Sequence, residues 1–228
     1  MTVFAQSAAD VKVPREPGRP RALRVRRGFL VASPVLAGLF CVLGAWSDPA
    51  VGLTGARLYE LYAAHPEPLQ LKSLGFHWGY AFWMLPALLA AAYVRGRGAW
   101  IANVAAFIGF AGMTTLPGLL IVDYYDSAIG QEYGVQGALA VEDRMEQMWG
   151  LPVFALPGLL GLMASLPLIA IALWRGGVIR WWGFAAVVAG QAVFLLGGIA
   201  WWHCAIMAGF FAVFAYALAT GTRARTEL

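Results

Sequence analysis

The sequence predicts an all-α membrane protein with six transmembrane helices, both termini in the cytoplasm, and short amphipathic helices in two extracytoplasmic loops. Hydrophobic residues make up 61% of the chain and charged residues 12%, whereas soluble domains average about 45–50% and about 25%. The mean hydropathy of +0.68 also indicates a polytopic membrane protein. At about 20 residues per crossing, a chain of 228 residues holds six spans and modest loops but no separate soluble domain.

The chain begins with a basic segment, residues 1–27, which contains prolines and lacks apolar periodicity. We interpret it as a flexible cytoplasmic tail. Arginines at its end directly precede the first apolar run, as they also do in a signal peptide. A poor cleavage site and a long leader favour a retained helix instead. The membrane domain is then residues 28–221, and residues 222–228 form a second cytoplasmic tail.

Apolar runs long enough to cross a bilayer define the spans. They are residues 28–46, 73–94, 99–122, 151–174, 179–197 and 201–219. Short basic turns that contain glycine separate the second span from the third and the fourth from the fifth. The apolar stretch 181–221 is too long for one crossing, and Gly197-Gly198 provides the turn that divides it.

The distribution of charge supports this topology. With both termini inside, every Lys and Arg lies on the cytoplasmic side except Arg57, Lys72 and Arg144. All acidic residues except those of the two tails lie outside. This asymmetry satisfies the positive-inside rule, and it explains the basic residues as a topology signal rather than as a nucleic-acid site.

The two longer outer loops are predicted to contain amphipathic helices. Between residues 138 and 149, apolar side chains recur at 138, 141, 145, 148 and 149, and polar side chains occupy the opposite face. We interpret this segment as a helix that lies at the outer membrane interface. Residues 54–64 show a shorter version of the pattern, which the following prolines end.

The segment from residue 123 to 150 is the longest polar interruption of the chain. Glu142 and Glu146 lie four residues apart on one helix face, with Asp143 beside them. Crowded carboxylates raise one another's pKa and serve as acid and base or bind a divalent cation. A solvated face, acidic because it lies outside, is the interpretation that we favour. Asp123, at the end of the third span beside Tyr124, is the best single functional candidate.

Two histidines, His77 and His203, lie near the outer ends of their spans. Neutral imidazoles from two helices at similar depth would ligate a haem iron from both sides, or bind copper. The alternative is an interfacial histidine that is hydrogen-bonded to a loop. Gln191 lies midway along the fifth span. We favour an interhelical hydrogen bond for this amide over a contact with substrate.

The sequence excludes more functions than it names. No Asp, Glu, Lys or Arg lies in the central part of a predicted span, which disfavours ion-driven transporters. Phosphate loops, dinucleotide fingerprints, nucleophile elbows and zinc-protease motifs are also absent. The first hypothesis is therefore a non-catalytic accessory, binding or permease-type protein of a bacterial inner membrane. It would lie in the lipid bilayer and would bind a membrane-protein partner or a hydrophobic small molecule. Its acidic outer face would be the binding surface.

Two alternatives stay open, and no cofactor is determined by the sequence. The first is a membrane-embedded enzyme that acts on a lipid or isoprenoid in an outward-opening pocket. Asp123, His77 and His203 would then be catalytic, and Gln191, Glu142, Glu146 and Tyr124 would bind substrate. The second alternative is a haem or copper protein whose metal is held by His77 and His203.

Overall fold

The computed structural model describes residues 19–226, with side chains from residue 21 to residue 223. Over this range the chain is helical and contains no strand. The helices are α1 Arg19–Ser47, α2 Gly55–Ala64, α3 Pro66–Ala90, α4 Ala99–Leu119, α5 Val122–Glu146, α6 Gly150–Arg175, α7 Trp181–Gly197 and α8 Trp201–Thr226. A single 3-10 turn, Ala91–Tyr93, follows α3.

Four helical stretches within residues 19–226 are long and apolar enough to cross a membrane. They are Arg21–Ser47, Ala99–Glu146, Gly150–Arg175 and Trp201–Arg223. The second stretch joins α4 to α5, and its carboxylates lie in α5, so its apolar part is α4. α7 is apolar but has 17 residues. α3 has 25 residues, and its two Trp, two Gly, one Tyr and one His lower its hydropathy. The chain is thus an all-helical, multi-pass membrane protein.

α3 lies near the middle of the bundle, where it contacts α1, α4 and α6. Its Trp83 is fully buried and packs edge-on against Phe194 of α7 and Phe211 of α8. α1 packs against α3 on one side and α8 on the other, while α4 packs against α3 and α6. One contiguous core of apolar side chains therefore joins α1, α3, α4, α6, α7 and α8.

Small residues let the helices approach closely. A Cβ atom at Gly112 of α4 would lie 2.5 Å from the Cα of Gly161 in α6, and one at Gly158 would lie 2.9 Å from the Leu116 Cβ. A Cβ at Gly109 would meet Ala87 of α3 at 3.0 Å. Backbone contact of this kind is typical of membrane helices, because lipid provides little hydrophobic force between them. These glycines therefore permit the close packing of α4 against α3 and α6.

The first and last helices meet at one end of the bundle. The Arg27 guanidinium donates to the Thr222 hydroxyl at 3.1 Å and to the Ala219 carbonyl at 2.6 Å. α1 begins at Arg19, so residues 19–27 of the expected flexible tail are helical, and α8 continues to Thr226 through part of the expected C-terminal tail. The arginine bonds stabilise these extensions, since they occupy polar groups at the end of α8. Residues 1–18 of the tail lie outside the described residues.

α2 and α5 cover the opposite end of the bundle, which we call the capped end. α5 covers residues 138–146 of the predicted segment 138–149, and it begins much earlier than predicted, at Val122. It bends at Gly134, whose φ of 71° lies in the left-handed region that glycine adopts readily. α3 begins at Pro66, seven residues before the predicted start of the second span, because proline is well placed in the first turn of a helix.

Candidate functional site

A buried ion pair joins α3 to α5 at the capped end. Lys72 Nζ lies 3.0 Å from Asp123 Oδ2, and the lysine is 7% exposed. Ser73 Oγ also lies 2.5 Å from Asp123 Oδ2, which makes a short hydrogen bond to a charged acceptor. Asp123 lies in the first turn of α5, where the helix dipole favours a negative charge. Asp123 therefore lies at the junction between α4 and α5.

The same lysine ties α2 into the cluster. Lys72 Nζ donates to the Tyr62 hydroxyl at 2.6 Å and lies 4.7 Å from the centre of the Tyr62 ring. Ser127 of α5 donates to the Tyr62 carbonyl at 2.8 Å, and the Gln131 amide donates to the Ala63 carbonyl at 3.2 Å. Because the charges and polar groups are mutually satisfied, α2, α3 and α5 form one fixed unit.

A cleft of about 290 Å³ lies beside this cluster, between α3 and the junction of α4 with α5. Its lining is mainly apolar, with polar groups from Ser73, His77 and Tyr124. His77 Nδ1 lies 2.9 Å from the Pro117 carbonyl oxygen. A carbonyl only accepts, so Nδ1 carries the hydrogen, and Nε2 of the neutral ring is left as an acceptor. The Tyr124 hydroxyl lies 3.4 Å from the Gln70 carbonyl, to which it donates.

The predicted site residues fall into separate groups. His77 and Tyr124 line the cleft, and Asp123 is held behind it by Lys72 and Ser73. His203 instead lines a second cleft, of about 410 Å³, between α7 and α8. Its Nδ1 is buried without a hydrogen-bond partner in the described part of the chain. Between residues 19 and 226, no three His, Cys, Asp or Glu side chains cluster as metal ligands.

The acidic residues of α5 divide between a buried and an exposed side. Asp126 faces α2, and burial together with the nearby Asp123 and Glu142 raises its pKa to about 6. Burial, Asp126 and Glu142 likewise raise the pKa of Tyr59 in α2. Asp143 and Glu146 are exposed. Glu142 therefore belongs to the contact with α2, and Glu146 belongs to the solvated face.

Gln191 forms the interhelical bond that the sequence favours. Its Nε2 donates to the Met163 carbonyl at 2.6 Å and to the Leu162 carbonyl at 3.2 Å. Pro167 has no N–H with which to pair the Met163 carbonyl, so the glutamine satisfies an acceptor that the proline leaves free. Gln191 lines neither the His77 cleft nor the His203 cleft.

Sequence reasoning missed Lys72, Tyr62, Ser73 and Ser127. The sequence contained one signal for Lys72, because the predicted topology places only three basic residues on the outer side and Lys72 is one of them. A lysine that breaks the charge rule beside a span is a candidate for a buried pair. The hydroxyl residues gave no local signal, because Ser73 and Asp123 are 50 positions apart.

Comparison with known proteins adds no constraint to this geometry. The sequence matches no model of a protein family, and neither the curated proteins nor the solved structures contain a match.

Proposed function

We propose that this protein is a non-catalytic binding component of a bacterial inner membrane, with six spans and both termini in the cytoplasm. The capped end would face outwards and present α5 to a partner membrane protein. The charge asymmetry of the loops supports this orientation. The contact between Arg27 and Thr222 supports an even number of crossings, because it brings the beginning of α1 to the end of α8.

One observation carries the proposal: the exposed side of α5 combines acidic and aromatic side chains on a fixed support. Asp143 and Glu146 are exposed, Tyr133 is 72% exposed, and Trp149, just after the helix, is 86% exposed. Exposed Tyr and Trp are the side chains that most often dominate binding at protein interfaces. The Lys72–Asp123 pair holds α5 in place, so little ordering is required when a partner binds.

The test combines photo-crosslinking with charge reversal. A photoreactive amino acid at Tyr133 should capture a partner in native membranes, and the Asp143→Lys/Glu146→Lys variant should lose that capture. The same probe at Phe107, a 72% exposed residue on apolar α4, is the matched control. The proposal fails if Tyr133 and Phe107 give the same pattern, or if charge reversal leaves the capture unchanged.

The His77 cleft favours a second candidate, an enzyme that acts on a lipid or isoprenoid. His77 would accept the proton and Tyr124 would bind the substrate, because both line the cleft. Asp123 would act through its bonds to Ser73 and Lys72. Turnover of a lipid or isoprenoid by the purified protein, abolished in His77→Asn, would establish this function.

The haem or copper alternative requires His77 and His203 to reach one metal. The two histidines line different clefts, on α3 and on α8. An absorption spectrum of the purified protein decides the haem version, since a bis-histidine haem gives an intense Soret band.

A further inference from the structure

The cleft beside His77 has one polar end and an apolar remainder. His77 and Ser73 provide the polar end. Leu74, Trp78 and Ile121 line the rest and are about half exposed, so the cleft opens sideways along the surface of the bundle. A cleft that opens between apolar side chains at the end of membrane helices admits an amphiphile from the lipid and not only a solute from water.

The charges around the cleft select against an anionic head group. Lys72 lies beside this end of the cleft, because it shares Asp123 with Ser73, and its ammonium group is already paired with Asp123 and the Tyr62 hydroxyl. No Lys or Arg is among the described residues that line the cleft. A phosphate placed there would lose its hydration and lie close to the Asp123 carboxylate without a free cation, which is costly.

At the polar end formed by His77 and Ser73, the available hydrogen-bonding group is an acceptor. His77 Nδ1 is engaged with the Pro117 carbonyl, which leaves the lone pair of Nε2. The Ser73 hydroxyl hydrogen is directed to Asp123, and the Tyr124 hydroxyl donates to Gln70. The head group that complements this end must therefore donate a hydrogen bond and carry no negative charge.

We propose that the cleft binds a long-chain neutral alcohol, whose hydroxyl donates to His77 Nε2 and whose chain leaves along Leu74, Trp78 and Ile121. This site is separate from the exposed acidic face of α5. Alcohol binding to the cleft and partner binding to α5 are measured in different experiments, so either proposal fails independently of the other.

The test is equilibrium binding of radiolabelled farnesol to the full-length protein in nanodiscs, with farnesyl monophosphate as the charged competitor. The wild-type protein should show saturable binding of farnesol that the monophosphate displaces poorly. His77→Asn keeps an amide N–H at the position of Nδ1 but removes Nε2, and it should weaken binding about tenfold. His77→Gln, whose amide oxygen reaches towards the position of Nε2, should retain more of the affinity than His77→Asn.

Two further variants separate binding from folding. Leu74→Trp fills the cleft at an exposed position and should abolish saturable binding without a change in thermal stability. His203→Asn changes the histidine of the other cleft and should leave binding unchanged. The proposal is overturned by a wild-type protein without saturable binding, by equal affinity in His77→Asn, or by tighter binding of the monophosphate than of the alcohol.

Discussion

Lys72 is a buried lysine, and a charge removed from water is costly unless it is paired. Its ammonium group has two close partners, the Asp123 carboxylate and the Tyr62 hydroxyl. The carboxylate in turn accepts from Ser73. The pair therefore acts as a fixed joint between α2, α3 and α5, and removal of one member leaves the other buried and unpaired.

We predict that Lys72→Met and Asp123→Asn each destabilise the protein by about 2–4 kcal/mol, since loss of one partner strands a buried polar or charged group. The double variant should recover much of this loss, because neither charge remains. Unfolding in a denaturant series in detergent, analysed as a double-mutant cycle, measures the coupling.

The matched control is the exposed pair Arg57–Glu60 on α2, whose side chains are 66% and 47% exposed. Arg57→Ala should cost less than about 0.5 kcal/mol, because water screens surface pairs. If Lys72→Met were as mild as Arg57→Ala, the buried pair would not hold the capped end together.

The raised pKa of Asp126 predicts that the stability of the protein depends on pH. Its pKa is raised to about 6 in the folded protein from an ordinary value near 3.8, so the folded state binds the proton more tightly than the unfolded chain. The contribution of Asp126 to stability therefore falls as pH rises from about 4 to about 6. At pH 7 its ionised carboxylate destabilises the folded protein. Asp126→Asn should raise the unfolding temperature at pH 7 by roughly 1–2 °C.

The gain from Asp126→Asn should disappear below about pH 4, where the wild-type carboxyl is protonated in both states. Thermal unfolding of the wild type and the variant at matched pH values measures the difference directly. A gain that is constant from pH 4 to pH 7 would show that charge on Asp126 is not its source.

At the scale of elements, the positions of the helices could be predicted, but their contacts could not. Long apolar runs and basic glycine turns give strong local signals, and each predicted span overlaps an observed helix. Helix ends differed where side chains from distant parts of the chain act on them, as Arg27 does on α8. The bend at Gly134 escaped prediction because a glycine in a helical pattern does not reveal its φ angle.

The contact between α4 and α6 depends on two glycines that meet directly. Gly161→Val places side-chain atoms into the backbone of α4 at Gly112, where a Cβ already lies 2.4 Å from the Gly112 Cα. We expect a loss of at least about 2 kcal/mol or failure to fold. Gly209→Ala in α8 is the control, because a Cβ there meets no atom within 4 Å. Detergent-solubilised yield and unfolding temperature distinguish the two variants, and equal behaviour would contradict direct helix contact.

At the scale of the whole molecule, the candidate site is the part that sequence could predict least. Asp123, His77 and Tyr124 were identified from their types and positions, and two of the three line one cleft. The residues that fix their chemistry are Lys72, Ser73 and the Pro117 carbonyl, which reach them through helix packing. Such packing is set by the shapes of α3, α4 and α5 together, and no local pattern records it.

The proposed six-span topology predicts which loops are accessible from each side of the membrane. In a Cys41→Ala/Cys204→Ala background, a cysteine at Glu132 should react with a membrane-impermeant maleimide in intact cells. Cysteines at Arg97 and Arg180 should react only after the membrane is opened. These three positions are exposed, and both native cysteines are buried. The physical reason is the loop charge asymmetry, which retains basic turns in the cytoplasm.

α7 is the shortest of the proposed membrane-spanning helices. Its 17 residues extend about 25 Å at 1.5 Å per residue, somewhat less than the hydrocarbon thickness of about 30 Å. Local thinning of the bilayer accommodates a short helix of this kind. A fluorescent protein that matures only in the cytoplasm should therefore be bright after Leu228 and dark when inserted after Gly198. Brightness at both positions would show that α7 and α8 do not cross, and would reduce the number of spans to four.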